Sequence, residues 1–454
     1  MVRLLLGNIK GEPGEVTTQQ LLETRDVVES KINDISVNVK NYGATGNGVD
    51  DDSEYINNAL SSGYKKIYIP HGEYVTNQPL IINSNDVVLY GEGVILSNTD
   101  TTLELSGSNC DIQINIEGQD NTRIGIYNSG KDNKIHDCVI KNIYSEDDMS
   151  CGINSVNSGL TKIKNNLIDR VNSVGDDIGG NNNGASRAIR IVGLSINDGE
   201  TFIIDNTIKN VIGEEGDAIH LISSNKESMP VKIENNTINT FSRRAIKIQC
   251  SNVEVIKNKI INRTNHTSLI RVIDIQHSTN VNIINNDIDV EFVSVFGLAG
   301  TPDDIVEYIN IRGNTVKSHS VISNIYNTNA NEVNISNNEF IGGGNFLLSG
   351  TDNLDFNYNT IKHSLLSDSD YTLTINNGSN VNVIVNEISH SVYRRPLRTN
   401  AENIDIIQNL FNGDVGGFEI NGGSGTLVKN TIKNTRLTTT DVDTHLIIDN
   451  TLIN

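Results

Sequence analysis

A phrase of the form apolar-x-apolar-x-Asn-Asn-x-apolar returns along the chain, as Val231-Lys-Ile-Glu-Asn-Asn-Thr-Ile238, Val281-Asn-Ile-Ile-Asn-Asn-Asp-Ile288 and Val333-Asn-Ile-Ser-Asn-Asn-Glu-Phe340. Taking one asparagine per copy gives Asn206, Asn236, Asn258, Asn286, Asn314, Asn338, Asn359, Asn386, Asn409, Asn430 and Asn450, at intervals of 20 to 30 residues with a mean near 24. Within each copy the apolar residues alternate with period two, so each unit offers one narrow apolar face. A single unit cannot bury that face. Stacking unit on unit buries a continuous core, with parallel strands pairing between neighbouring coils, and the unit length fits three short strands and three turns. Asparagine suits the turn because it tolerates the left-handed backbone region, and equivalent side chains can hydrogen-bond along the stack. Leucine-rich repeats would need a recurrent Leu-x-x-Leu-x-Leu phrase, and propeller blades longer units with Trp and Gly signatures; neither occurs. The pattern predicts an all-β chain wound as a single-stranded parallel β-helix.

An elongated repeat body can absorb all 454 residues as one domain. The formal charge of -21 argues against a nucleic-acid partner, because phosphate backbones are held by a basic field. Cys110, Cys138, Cys151 and Cys250 are widely spaced, without metal-ligand spacing, and read as small core residues. The apolar run in Met1-Val-Arg-Leu-Leu-Leu-Gly7 is too short for a signal-peptide core, and no run of about 18 apolar residues crosses a membrane. A protein of this kind acting outside a cell is expected to leave by lysis or on a particle.

Upstream, Val37-Asn-Val-Lys-Asn-Tyr-Gly-Ala-Thr-Gly-Asn-Gly-Val-Asp-Asp-Asp-Ser53 leads into a helix-like Glu54-Tyr-Ile-Asn-Asn-Ala-Leu60 and then Lys66-Ile-Tyr-Ile-Pro-His-Gly-Glu-Tyr-Val75. Asp50, Asp51 and Asp52 are expected to cap that helix, since acidic residues favour a helix N-terminus. The succession of strand, Gly-rich turn, sealing helix and Pro-x-Gly-x-Tyr strand resembles the opening of pectate-lyase-like β-helices of bacteriophage tailspikes. That resemblance spans residues 36 to 454. It implies a right-handed β-helix over residues 37–454, a homotrimer, and a virion protein attached to the phage tail or baseplate through its N-terminus. It also implies that the protein binds and cleaves a bacterial surface polysaccharide outside the host cell. Residues 1–36 differ in kind: Gly7-Asn-Ile-Lys-Gly-Glu-Pro-Gly14 is linker-like, and Leu21, Val28, Ile32 and Ile35 form a heptad-like stripe. They are expected to form a stem for attachment or trimerisation.

Four strands preceding the Asn phrases align without gaps: Arg187-Ala-Ile-Arg-Ile191, Asp217-Ala-Ile-His-Leu221, Arg244-Ala-Ile-Lys-Ile248 and Arg271-Val-Ile-Asp-Ile275. With the third and fifth members facing the core, Arg190, His220, Lys247 and Asp274 are expected to stack outward in one column, beside a second column of Arg187, Asp217, Arg244 and Arg271. Such a strip offers carboxylates for acid and base and cations that hold acidic or hydroxylated sugars. A solvated ladder of salt bridges would have the same composition. The longest intervals, from Asn166 to Asn206 and on to Asn236, suggest expanded loops at Ser173-Val-Gly-Asp-Asp-Ile178 and Gly213-Glu-Glu-Gly-Asp217, the kind of loop that lines a binding groove. Candidate catalytic groups are therefore Asp177, Glu215, Asp217 and Asp274, with Asp176 and Glu214 nearby; Arg190, His220, Arg244, Lys247 and Arg271 are the candidate substrate contacts.

Gly175-Asp-Asp177, His220 and Arg244-Ala-Ile-Lys247 resemble, in order, the acidic, histidine and Arg-x-Lys motifs of polygalacturonase-type hydrolases, without the glycines around the histidine and with one extra residue in the last. Glycoside hydrolysis is the favoured reading and needs no cofactor. In a lyase, Lys247 or His220 would abstract a proton beside a uronate carboxylate neutralised by Arg271 or Ca²⁺. A non-catalytic receptor-binding fibre would use the same strip. His266, His277, Tyr393, Arg394 and Arg395 are further outward candidates, but isolated histidines and short basic runs are commonly surface features.

Overall fold

The computed structural model describes residues 23–24, 36–175, 184–194, 199–223, 228–264, 271–291, 294–319, 323–363, 371–393, 395–421, 424–440, 444–448 and 450–453. Apart from Glu23, Thr24 and Ser36, the expected stem lies outside these residues, as do Asp176, Asp177, His266 and Arg394. The described chain is a right-handed parallel β-helix in which strands of successive coils pair in parallel along three ladders. One ladder runs through Val139–Ser145, Leu167–Ser173, Thr207–Ile212 and Thr237–Phe241. The second holds Ser150–Val156, Ala185–Val192, Glu215–Ile222, Arg244–Gln249 and Arg271–Gln276. The third holds Lys162–Lys164, Thr201–Ile204, Val231–Glu234 and Val253–Ile256. Each coil contributes alternate Ile, Val and Leu to a core running from Val37 to Ile432. The four cysteines are buried, and burial pushes the Cys138, Cys151 and Cys250 thiols up to about 12.

The two asparagines of the repeated phrase divide the work. The first is the left-handed one: Asn235, Asn285 and Asn337 have φ of 57°. The second is buried between the third and first ladders and makes a side-chain column. Asn258 donates its amide to Asn286 Oδ1 at 3.0 Å, and Asn286 to Asn314 Oδ1 at 2.9 Å. The same contact repeats from Asn166 to Asn450. The other amide hydrogen goes to a backbone carbonyl such as Val255 O, and the backbone N–H to the next Oδ1. Every polar atom of the buried side chain is thereby satisfied, as a dry interior requires.

The N-terminal end is sealed by the helix Ser53–Leu60, whose Ile56, Ala59 and Leu60 are buried. Asp52 stands at the capping position without a side-chain bond to the helix; its carboxylate instead accepts from Thr45 N at 2.6 Å and Gly46 N at 3.0 Å, holding the Gly-rich turn. Asp51 takes the first helical N–H, Ser53 N, at 3.0 Å, and Asp50 pairs with Asn47. The expected capping thus narrows to one aspartate. Tyr74 of Pro70-x-Gly-x-Tyr is fully buried and donates its hydroxyl to Pro70 O at 2.9 Å.

Candidate functional site

In the second ladder, strict alternation fails at one point of each coil. Ala188 and Ile189, Ala218 and Ile219, Ala245 and Ile246, and Val272 and Ile273 all join the core as consecutive pairs. Two successive inward residues require a bend, and the residues flanking the bend both remain outside. The first outer column stacks Cys151, Arg187, Asp217 and Arg244, and the second Asn154, Arg190, His220, Lys247 and Asp274, in the register expected from the aligned strands. The columns meet across the bend: Arg187 Nε donates to His220 Nδ1 at 3.0 Å, and Arg244 Nε to Asp274 Oδ2 at 2.8 Å.

Although these side chains point away from the core, most are buried against one another. Asp217 and Asp274, expected at an accessible surface as catalytic carboxylates, have no solvent exposure. Asp217 lies 3.1 Å from Arg244 NH1 and 3.5 Å from Arg187 NH2; Asp274 lies 2.8 Å from both Arg244 Nε and Arg271 NH1. Gln276 adds a bond to Asp274 at 2.7 Å. Both aspartates therefore act as buried counter-ions that aim arginines, and neither is placed to meet a sugar. Their longer reach across coils is what the pattern of outward residues does not reveal.

His220 is also enclosed. Its Nδ1 lone pair accepts the Arg187 hydrogen, so the ring proton sits on Nε2 and is donated to Gln249 Oε1 at 2.9 Å. Burial, with Arg187 and Lys247 alongside, holds its pKa well below the ordinary imidazole value. It is a neutral bridge whose basic lone pair is occupied, which removes it as a proton-abstracting base.

The groups with access to solvent are Glu215, Arg190, Arg271 and Arg243, while Lys247 is buried with only 11% of its side chain exposed. Glu215 lies 2.9 Å from Arg187, 3.1 Å from Arg243 and 3.8 Å from Lys247. Burial and the Asp217 charge push its carboxyl up, but the Lys247, Arg187 and Arg243 cations outweigh them and leave it below the usual carboxylate range. Burial, joined by the Arg244 and Arg187 charges, lowers the Lys247 ammonium. Arg190 has Asn154 Oδ1 at 3.1 Å and no carboxylate within ion-pair distance among the described residues, and burial lowers its pKa as well. Arg271 packs over Tyr326, its guanidinium carbon 5.3 Å from the ring centre. That path depends on Gly297, where a Cβ would fall 1.9 Å from Arg271 Cδ.

The cluster thus sets six cations, Arg187, Arg190, Arg243, Arg244, Lys247 and Arg271, against Glu215, Asp217 and Asp274, in a chain whose net charge is -21. A local cationic excess on an acidic body attracts an anion, and the half-buried Arg190 has no carboxylate partner among the described residues, while the buried Lys247 meets Glu215 only at 3.8 Å. No group of three His, Cys, Asp or Glu side chains among the described residues could hold a metal ion. Sequence reasoning missed Arg243, Gln249, Gln276 and Tyr326, of which only the Arg243-Arg244 doublet left a visible signal. The turn Gly213-Glu214 is no longer than Ser242-Arg243 in the next coil; the extra length before Asn236 falls at 223–230, after Ile222, where the next coil has 250–252.

Several known proteins are similar to this chain. A 67-residue stretch, 15% of the chain, is 39% identical to the pre-neck appendage protein of Bacillus phage B103 and spans 8% of that protein's length. The surface adhesin PfbA of Streptococcus pneumoniae is similar at 13% identity and TM-score 0.40, over 92% of each chain. The catalytic unit of a GH87 alpha-1,3-glucanase from Streptomyces thermodiastaticus strain HF3-3 is similar at 13% identity and TM-score 0.41, over 90% of this chain and 69% of the other. The family model described as Rhamnogalacturonase A/epimerase, pectate lyase-like matches residues 36–271, which is just over half of the sequence and includes both outer columns up to Arg271. The chain belongs to this rhamnogalacturonase A/epimerase, pectate-lyase-like family.

Proposed function

We propose that the protein is a tail-borne phage depolymerase that binds an acidic bacterial surface polysaccharide along the outer columns of the second ladder and cleaves it. The observation that carries this reading is the pairing of an uncompensated, half-buried Arg190 with a depressed Lys247 two coils away in the same column. Arg190, which has no carboxylate partner among the described residues, binds a sugar carboxylate in charge-assisted bonds, and Arg271, already paired with Asp274, turns its remaining donors to the sugar chain. Lys247, whose charge burial disfavours, takes in its free-amine form the proton next to the reacting sugar's own carboxylate, and the glycosidic oxygen on the adjoining carbon leaves as the carbon–carbon double bond forms. Ca²⁺ is not required for charge neutralisation in this scheme, since guanidinium groups supply it. Hydrolysis would ask for one protonated and one ionised carboxyl group at the scissile bond. Glu215 is held ionised by three cations and Asp217 is enclosed, so elimination fits the described side chains better than the hydrolysis expected from sequence.

The likeness to a phage pre-neck appendage protein supports a place on the virion, with action outside the host cell. Attachment through residues 1–36 and assembly as a homotrimer complete the proposal. The test is incubation with purified bacterial capsular and wall polymers, following reducing ends and the ultraviolet absorbance of an unsaturated uronide. Both signals together support elimination, reducing ends alone support hydrolysis, and neither signal on a polymer that binds makes the protein an adhesin.

A further inference from the structure

The second outer column does not end at Asp274. It continues in register through Gly297, Tyr326, Leu347 and Thr374 to Arg398 and Glu419, while Tyr371 and Arg395 are paired in the first column. The same inward step recurs there, with Leu373 and Leu397 in the core and Tyr371 outside the main core. From Lys247 to Arg398 is six coils, roughly 30 Å at about 4.8 Å per coil. Of the five positions between them, Asp274 is bonded to Arg244 and Arg271, while Gly297, Tyr326, Leu347 and Thr374 carry no charge of their own, with Arg271 packed over Gly297 and the exposed Tyr326.

At the far end, charge returns. The Tyr371 hydroxyl sits between Arg395 and Glu419, and Arg395 lies 3.6 Å from Glu419. The guanidinium carbons of Arg395 and Arg398 stand 5.2 and 5.5 Å from the centre of the Tyr371 ring. Two arginines thus share one ring, and only Arg395 reaches the carboxylate. Arg398 is exposed, and no carboxylate lies within ion-pair distance of it among the described residues. Arg395 stood out in the sequence, yet the site around Lys247 makes no use of it.

We propose that Arg395, Arg398 and Tyr371 form a distal subsite for an anionic group of the same polysaccharide chain whose reacting unit lies at Lys247. This rests on the function proposed above. An extended glycan advances by about one sugar per coil spacing, about 5 Å, so the stretch from Tyr326, with Arg271 over it, through Leu347 and Thr374 spans a run of sugars between the cations around Lys247 and those at Arg398. Full binding then requires an oligosaccharide of about six or seven units, and the two sites reinforce each other through the covalent link between the sugars they hold.

The experiment uses the full-length Lys247→Ala protein, so that nothing is consumed, titrated with sized fragments of polygalacturonate, alginate and hyaluronan from two to ten sugars. Affinity is expected to rise a second time once fragments reach about six or seven sugars. Adding Arg398→Ala, an exposed change, removes that gain, about tenfold, as expected for one charge-assisted contact, and leaves tetramers unaffected. Adding Arg190→Ala instead weakens binding at every length. Long fragments that bind equally with and without Arg398, while Arg190→Ala still weakens them, would overturn the distal subsite and leave the proposed function standing. If no fragment of any length binds, the anionic-polymer reading and the distal subsite fall together.

Discussion

Replacing Arg244 by methionine tests whether the buried aspartates are counter-ions. Arg244 bonds Asp274 at 2.8 Å and Asp217 at 3.1 Å and stands 3.8 Å from Glu215. After the change, Asp274 keeps Arg271 at 2.8 Å and Gln276 at 2.7 Å, whereas Asp217 keeps only Arg187 at 3.5 Å, with Oδ2 already lacking a hydrogen-bond donor. The uncompensated charge therefore concentrates on Asp217, which has no exposure to water. Removing one partner of a buried pair costs about 3–5 kcal/mol. Asp217→Asn in the same background turns the stranded charge into an amide and is expected to recover about 1–3 kcal/mol, a coupling typical of direct contacts. Urea unfolding followed by far-UV circular dichroism measures all four members of the cycle. A loss below about 1 kcal/mol for Arg244→Met, or additive single changes, would refute the counter-ion assignment.

Three further outcomes follow from particular groups. His220 is held neutral in the fold, so below the ordinary imidazole value, about 6.5, the unfolded chain binds a proton that the native one does not. Stability then falls as pH falls, by up to about 1.4 kcal/mol per pH unit, and His220→Gln removes this component of the slope in unfolding measured between pH 5 and 8. Asn286→Ala deletes the two bonds its carboxamide oxygen accepts from Asn258 and the two its amide donates to Val255 and Asn314. At about 1 kcal/mol each this costs about 4 kcal/mol, checked by chemical unfolding. Lys247→Ala abolishes product release from a cleaved polymer while retaining its binding, and wild-type turnover rises with pH through a value below that of a free lysine, as initial rates across a pH series will show.

The fold was legible in the sequence because one residue type does a job no other can do equally well. A buried asparagine donates twice and accepts twice along the stack, and its spacing reports the coil length directly. The columns were legible for a related reason: Arg187, Asp217 and Arg244 align without gaps, and strand pairing converts alignment into adjacency. Burial of those columns was not legible. It depends on the bend at Ala188, Ala218 and Ala245, which turns two outer columns toward each other, and an alanine in a strand does not announce a bend. The role of His220 likewise turns on which nitrogen meets Arg187, and that contact joins residues 33 positions apart. Asp177 and the stem over residues 1–36, save Glu23, Thr24 and Ser36, lie outside the described residues.

The central claim is that an acidic polysaccharide lies on the outer columns with its carboxylate on Arg190 and its reacting sugar at Lys247. A crystal structure of the Lys247→Ala protein with a defined oligosaccharide of the polymer it binds most tightly tests this most directly. Density for the sugar chain along the column from Arg190 through residue 247, with a carboxylate in hydrogen-bond contact with Arg190, is the predicted result. Sugar density confined to the outer faces of the first or third ladder, with Arg190 still bonded to Asn154 alone, would contradict it.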